Sequence, residues 1–216
     1  MNTTIKISEQ LTDTEIIEKI LAGETGLFEI LIRRNNPYLY KTGRAYNYSH
    51  EDTQDLMQDS FIDAYRNLSK FEGRSSFRTW IIRIMLNNCF HKKEKLSFKN
   101  ERVKEINEKS IPMFSDNRTQ TERTVANREL SRIIEEALQQ LPLDYRLTFS
   151  LREMTGLNVS ETAETLHISE ANVKVRLNRA KVMLRNEIER AYSREDIFEF
   201  NLVYCDEMVG RVMKKI

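Results

Sequence analysis

The chain contains few of the residues that crosslink or interrupt a fold. Its 216 residues include two cysteines, three prolines and six glycines. The cysteines, Cys89 and Cys205, are too few and too far apart to build a disulfide framework or a zinc site, so we expect two free thiols in a reducing compartment. Because proline and glycine are the strongest helix breakers, their scarcity favours a helical protein.

Long apolar runs and the usual marks of an enzyme are also missing. No run of 18 apolar residues is present, and the first residues, MNTTIKISEQLTD, lack the basic-then-apolar layout of a signal peptide. The three histidines are widely scattered, and neither a glycine-rich phosphate loop nor a metal-ligand spacing occurs. We therefore expect a cytoplasmic protein without membrane insertion, catalytic residue, metal, cofactor or small-molecule substrate.

The charges balance in number but are segregated along the chain. The net charge is +1, yet residues 51–65 hold five acidic and no basic residues, whereas residues 66–95 hold eight basic and two acidic ones. The protein as a whole is therefore not a polycation. Any binding to nucleic acid has to come from local patches of charge.

Apolar residues recur at helical spacing along most of the chain, which predicts an all-α fold. The predicted helices cover residues 12–21, 24–47, 52–68, 77–95, 122–140, 143–153, 159–166 and 171–186. The first is expected to start at a capping cluster around Thr12. The third is expected to bury Leu56, Phe61, Ala64 and Tyr65.

The helical pattern separates two domains. Residues 96–127 lose the apolar period and are rich in lysine, glutamate, asparagine, serine and threonine, which predicts a flexible polar linker. Two small helical domains are thus predicted, at residues 8–95 and 128–190. Residues 191–216 form a tail to which the sequence assigns no role.

The second domain carries the pattern of a helix-turn-helix. Asn158 and Glu161 have the spacing of a capping box at the start of a short helix. Ala163 supplies the small side chain that two closely crossing helices need. Residues 167–169 form the turn, and Ser169 is placed to cap the helix that follows. In such a motif the second helix enters the DNA groove and the first braces it.

The last predicted helix has an apolar and a basic face. The apolar stripe consists of Val173, Leu177, Ala180 and Leu184, and the outer face carries Lys174, Asn178, Lys181 and Arg185 with Arg176 and Arg179 beside them. A face of this kind suits the DNA major groove, where lysine and arginine reach phosphates and guanine and asparagine pairs with adenine. A solvated surface helix is the alternative interpretation.

The stretch LQQLPLDYR, together with the helix-turn-helix after it, resembles the promoter-binding C-terminal domain of bacterial extracytoplasmic-function (ECF) sigma factors. The matching residues are Leu141, Pro142, Arg146, Gly156, Glu161, Ala163, Val173, Lys174, Arg176, Leu177, Arg179, Ala180 and Lys181. The chain departs from the family pattern at Thr162, His167, Asn172 and Val175.

An upstream stretch, DTQDLMQDSFIDAYRNLSKFEGRSSFRTWIIRIMLNN, resembles the core-binding and promoter-melting domain of the same family. The matching residues are Asp55, Leu56, Gln58, Asp59, Phe61, Phe71, Gly73, Phe77, Trp80, Arg83, Ile84 and Asn87. Of these, Phe77 and Trp80 are expected to pack inward rather than to wedge into DNA. Most family members carry aspartate where His91 stands.

The resemblance implies a sigma factor that binds the RNA polymerase core and directs promoter-specific transcription initiation. It assigns core binding to Asp55, Leu56, Gln58, Asp59 and Phe61. It assigns minus-10 contacts to Asn67, Phe71 and Asn87. Lys92 and Lys93 are expected to join them by following the phosphates of that element. It assigns minus-35 contacts to Lys174, Val175, Arg176, Asn178, Arg179 and Lys181. In this last set Arg176 and Lys181 anchor the DNA backbone, while the others face the bases.

The resemblance also implies an anti-sigma factor as a partner, because members of the family are usually held inactive by one. Two alternatives remain for the residues taken alone. The acidic helix taken alone favours an ordinary solvated surface, and the helix-turn-helix is also consistent with a stand-alone repressor or activator. Such a repressor normally dimerises on a two-fold operator, and the sequence has no sustained heptad seam.

Overall fold

The computed structural model describes residues 11–98, 122–191 and 213, and its regular elements there are all helical. The helices are α1 (Asp13–Leu21), α2 (Phe28–Arg44), α3 (His50–Arg66), α4 (Phe77–Phe98), α5 (Glu122–Gln140), α6 (Leu143–Phe149), α7 (Val159–Leu166) and α8 (Glu170–Ala191). Helix α6 continues as a π-helical turn over Ser150–Met154. The predicted all-α fold is confirmed. Most of the predicted linker, Cys205 and most of the predicted tail lie outside the described residues.

The predicted helix starts are confirmed by their capping hydrogen bonds. At α1 the Glu15 N–H donates to the Thr12 hydroxyl at 3.3 Å, and the Thr12 N–H donates to the Glu15 carboxylate at 2.7 Å. Asn158 and Glu161 repeat this box at α7, with distances of 2.9 and 2.8 Å. The Ser169 hydroxyl caps α8 by accepting a backbone N–H at 3.2 Å. Each cap satisfies N–H groups that the first helical turn leaves without a partner.

Helices α2, α3 and α4 pack around an aliphatic and aromatic core. Leu31, Ile81 and Met85 are fully buried within it. Phe77 is buried and Trp80 packs against the same core at half burial, with 5.7 Å between the two ring centroids. The expectation that both rings pack inward is confirmed.

Tyr65 is not buried, contrary to the sequence prediction. Its side chain is 41% exposed because it lies at the edge of α3, where one side of its ring packs against Phe28 at a centroid distance of 5.0 Å. Together with Ile32, Met57 and Ile62 it lines an apolar groove between α2 and α3. The helical spacing of apolar residues correctly placed Tyr65 near the core. It did not show that part of the ring faces solvent.

Helices α2, α3 and α4 approach each other closely at Gly43. A Cβ atom at this position would lie 2.7 Å from Thr53 Cγ2 and 2.8 Å from Met85 Cε. Such distances are not compatible with van der Waals contact, so the packing requires a residue without a side chain. Sequence analysis did not single out this glycine, since nothing in its local pattern marks the contact.

We expect Gly43→Ala to lower the free energy of unfolding by about 1–2 kcal/mol. Overpacking costs about 1–3 kcal/mol, and the better helix propensity of alanine offsets at most about 1 kcal/mol. Chemical denaturation measures the change. Gly26→Ala is the matched control, because a Cβ there has no neighbour within 4 Å. Equal stability of the two variants would contradict the close approach.

Helices α6, α7 and α8 form a second packing unit, with α5 alongside α8. Val173 and Ala180 of α8 are fully buried. Leu177 and Leu184 continue the same face at half burial. The apolar stripe predicted for α8 is therefore confirmed.

One of the two hydrophobic clusters extends across both packing units. Leu147, Leu151 and Leu157 belong to the same continuous cluster as the core residues of α1–α4. The Arg146 guanidinium reaches across and donates a hydrogen bond to the Ala45 carbonyl at 2.6 Å. Burial lowers the pKa of Arg146 to about 10, which still leaves the group charged at neutral pH.

An ion pair is also buried where the units meet. Arg44 of α2 and Glu135 of α5 lie 2.5 Å apart between Nη2 and Oε1, and their side chains are 1% and 9% exposed. Arg44 donates a further hydrogen bond to the Tyr48 carbonyl at 2.8 Å. The sequence patterns predicted the two units but not their direct contact.

Candidate nucleic-acid interface

The turn between α7 and α8 sets the direction of the recognition helix. His167 ends α7 in the left-handed region with a φ of 53°, and residues 168 and 169 lead directly into α8. A glycine adopts this conformation more easily, since it has no Cβ. The small Ala163 is buried in α7, as expected for a close helix crossing. The predicted helix-turn-helix is confirmed.

The outer face of α8 is open to solvent at the predicted base-reading positions. Lys174, Asn178 and Arg179 are exposed, and Val175 is 47% exposed. Two cations and an amide thus stand beside an apolar side chain on one face. This combination can contact phosphate, guanine and adenine edges and a thymine methyl group. The assignment of these four residues to the minus-35 element stays a prediction.

Two cations of α8 are held by carboxylates of the preceding helix unit. Arg176 lies 3.0 Å from Asp144 and is the more buried of the two, while Lys181 lies 2.9 Å from Glu153. These pairs fix the rotation of α8 on its support and position side chains that were assigned to the DNA backbone. Sequence analysis missed both acidic partners, because their pairing depends on how α6 crosses α8.

The acidic helix α3 presents a polar face above a buried one. Asp55, Gln58 and Asp59 are exposed, whereas Leu56 and Phe61 are buried in the core. The apolar pair therefore fixes the helix and leaves two carboxylates and an amide free at the surface. The assignment of these five residues to core binding stays a prediction.

The predicted minus-10 residues occupy different environments. Asn67 ends α3, where its amide donates to the Asp63 carbonyl and its oxygen accepts from Lys70, both at 2.9 Å. Phe71 is half-buried against Phe77 and Trp80. Phe71, which the resemblance assigned to the minus-10 contacts, is therefore part of an aromatic cluster on the core.

The remaining minus-10 residues lie on α4. Asn87 and Lys93 are exposed. Lys92 is paired with Asp52 of α3 at 2.6 Å, and its ammonium lies 5.6 Å from the Tyr48 ring centroid. Lys92 thus links α4 to the acidic helix before any DNA is present. The assignment of the minus-10 set stays a prediction.

Some classes of site are not found among the described residues. In residues 11–98 and 122–191 no group of three or more histidine, cysteine, aspartate or glutamate side chains is placed to hold a metal ion. No helix in that part of the chain is both long and apolar enough to cross a membrane. Cys89 is a free, buried thiol, and burial raises its pKa to about 12.

Comparison with known families agrees with this architecture. Residues 31–97 match the model of sigma-70 region 2, and residues 131–184 match the model of sigma-70 region 4. The first match spans α3 and α4, and the second spans the helix-turn-helix.

Similar proteins cover most of the chain. The ECF RNA polymerase sigma-E factor of Haemophilus influenzae is 31% identical over an alignment of 194 residues, and the match covers 85% of this chain and 98% of that protein. The sigma-E factor of Escherichia coli K12 is 29% identical over 190 residues, with coverages of 85% and 97%.

Two solved structures have the same fold. CnrH, solved with the cytosolic domain of CnrY, gives a TM-score of 0.60 at 24% identity and covers 82% of this chain and 97% of its own. The sigma factor RpoE of Bartonella quintana, solved with the anti-sigma factor NepR, gives a TM-score of 0.60 at 19% identity, with coverages of 75% and 96%.

The helix-turn-helix, the acidic helix and the two family regions define a transcription regulator of the sigma-70 class. Within that class, the chain belongs to the family of ECF RNA polymerase sigma factors. As a sigma factor it directs transcription initiation.

Proposed function

We propose that α3 docks this sigma factor on the RNA polymerase core. The observation that carries the proposal is the exposed trio Asp55, Gln58 and Asp59 above the buried Leu56 and Phe61. The two carboxylates lie four residues apart, on the same side of the helix, and are complementary to a basic surface on the polymerase. Charge complementarity of this kind sets orientation and encounter rate, and charge pairs that become buried in the interface also contribute to affinity.

The exposed face of α8 is the proposed reader of the minus-35 element. Lys174 and Arg179 are free to reach phosphate or guanine, Asn178 an adenine edge, and Val175 a thymine methyl group. Arg176 and Lys181, which are held by Asp144 and Glu153, fix the helix against the DNA backbone.

The loop after α3 and the outer face of α4 form the proposed minus-10 surface. Asn87 and Lys93 are exposed on α4, and Lys92 of the same helix has its ammonium 2.6 Å from Asp52. Cations along the backbone and rings for stacking are what a separated DNA strand needs. The ring centroids of Phe71 and Trp80 are 5.3 Å apart. Phe71 can stack on a DNA base only if its ring gives up part of this contact.

The proposal also covers where the protein acts and which partner regulates it. The two domains, residues 8–95 and 128–190, act in the cytoplasm on polymerase and promoter DNA without catalysing a reaction. An anti-sigma factor is the proposed regulatory partner, since CnrH and the Bartonella RpoE were both solved in complexes.

In vitro transcription with purified core polymerase on a promoter library tests the function. We expect initiation that depends on this protein and on both promoter elements. A well-folded protein that never supports initiation, but binds duplex DNA tightly by itself, would instead indicate a stand-alone repressor or activator.

We expect Asp55→Ala combined with Asp59→Ala to weaken association with core polymerase by at least tenfold. Buried interfacial charge pairs cost about 2–5 kcal/mol when one partner is truncated, and both side chains stand free to form them. Core binding is measured by competition against a labelled wild-type chain. Glu18→Ala with Glu189→Ala removes the same charge from exposed positions elsewhere. If the two double variants bind equally, α3 is not the docking surface.

A further inference from the structure

Helix α4 carries an aromatic side chain that the protein leaves uncovered. Phe90 is 52% exposed, and it is the one exposed phenylalanine among those whose surroundings the structure describes. Ile82, Met85 and Cys89 are buried on the inner side of α4, so Phe90, the next residue along, lies on the outer side. Phenylalanine is among the residues most often found inside proteins. This ring is therefore an apolar surface outside the packed core.

A second exposed ring stands beside Phe90. The side chain of His91 is 68% exposed, and its ring centroid lies 6.0 Å from that of Phe90 at an interplanar angle of 64°. The two rings are not stacked on each other. About half of Phe90 thus stays accessible in spite of this neighbour.

The side chains before and after Phe90 provide what a single DNA strand needs. Asn87 and Lys93 lie three positions to either side of it, and both are exposed. From Asn87 to Lys93 the helix rises about 9 Å, the length of about two to three stacked nucleotides. Residues 87–95 hold three lysines against one acid, Glu94, whose carboxylate lies 3.7 Å from His91 Nδ1. An amide, a ring and a cation therefore follow one another on a basic stretch of α4.

We propose that Phe90 is a stacking platform for an unpaired base of the minus-10 strand, between the amide of Asn87 and the ammonium of Lys93. An unpaired base offers a flat face to an aromatic ring, whereas in duplex DNA the neighbouring base pairs cover that face. Because phenylalanine makes no hydrogen bond to a base edge, the contact holds the strand without selecting its sequence. The inference rests on the proposed minus-10 role of α4. It adds a residue that neither the helical pattern nor the family resemblance assigned.

A fork-shaped promoter probe tests the platform in the holoenzyme formed with core polymerase. The probe carries the minus-35 element as duplex and the minus-10 element as a single-stranded overhang, and a matched blunt probe lacks the overhang. The overhang should increase the affinity of the wild-type holoenzyme. Phe90→Ala should reduce that increase about fivefold to a hundredfold, the effect of losing one stacked base, and should leave binding of the blunt probe unchanged. Phe90→Trp restores a ring and should retain the wild-type increase.

Two controls separate stacking from a general loss of apolar surface. Phe90→Leu keeps an apolar side chain but has no flat ring, so it should lose the overhang effect as Phe90→Ala does. Leu21→Ala removes an apolar side chain that is 55% exposed on α1, and it should bind both probes like the wild type. A full overhang effect in Phe90→Leu would overturn the stacking role.

Three further results would also overturn the proposal. They are an unchanged overhang effect in Phe90→Ala, an equal loss on both probes, which indicates a contact with duplex DNA, and a loss of core binding, which indicates a contact with protein. If the holoenzyme still initiates at promoters in these cases, the inference fails while the proposed function stands. If the overhang adds nothing to binding by the wild-type holoenzyme, the proposed minus-10 function itself fails.

Discussion

Replacing Glu135 with alanine is expected to uncouple the two packing units of this sigma factor. The variant leaves the Arg44 guanidinium without its carboxylate at a site where the arginine side chain is 1% exposed. Removing one partner of a buried ion pair costs about 3–5 kcal/mol. The chain avoids most of this cost if α5–α8 separates from α1–α4 and Arg44 becomes hydrated.

Differential scanning calorimetry measures this uncoupling. We expect one thermal transition for the wild-type chain and two separate, lower transitions for Glu135→Ala. Glu136→Ala is the matched control, because Glu136 is the next residue of α5 and its side chain is 56% exposed. A Glu135→Ala chain that melts like the control would show that the ion pair does not hold the units together.

Replacing Arg179 with alanine is expected to change which upstream sequences the protein uses. Arg179 is exposed on the outer face of α8, one turn beyond Val175. A bidentate contact between arginine and guanine is worth about 1–3 kcal/mol of base discrimination. Transcription from the preferred promoters should fall about tenfold to a hundredfold. Transcription from promoters that are altered at the contacted base pair should fall much less.

A selection on randomised upstream elements measures this change, with core binding as the internal control. Arg176→Ala serves for comparison, since Arg176 is paired with Asp144 and was assigned to the DNA backbone. That variant should weaken binding to all upstream sequences by a similar factor. An unchanged sequence preference for Arg179→Ala would remove Arg179 from the base-reading set.

Local sequence patterns predicted much of this fold, because the signals that define each helix lie within it. The capping boxes at Thr12 and Asn158 and the apolar stripe of α8 all depend on residues three or four positions apart. The exposed faces of α3 and α8 followed from the same periodicity, whereas the roles assigned to them come from the family resemblance and stay predictions. Burial of Leu56 below exposed Asp55 is one example.

Features that depend on distant parts of the chain could not be predicted in this way. The space above Gly43 is limited by Thr53 and Met85, which belong to two other helices. The pair between Arg44 and Glu135 joins residues 91 positions apart. Tyr65 was misplaced for the same reason, since the position of α2 decides which side of α3 is covered.

The ion pairs that Asp144 and Glu153 make with α8 affect how strongly DNA binding depends on ionic strength. Each free cation that neutralises a DNA phosphate releases condensed counterions, so affinity falls with a logarithmic salt slope of about 0.9 per contact. Arg176 and Lys181 already have protein carboxylates as counterions. Because these two side chains then divide their charge between a carboxylate and a DNA phosphate, duplex binding by α8 should have a smaller salt slope than the value of about 4.5 expected if Lys174, Arg176, Arg179, Lys181 and Arg185 were all unpaired. Upstream recognition would then tolerate changes in cellular salt better than the number of basic residues in the helix indicates.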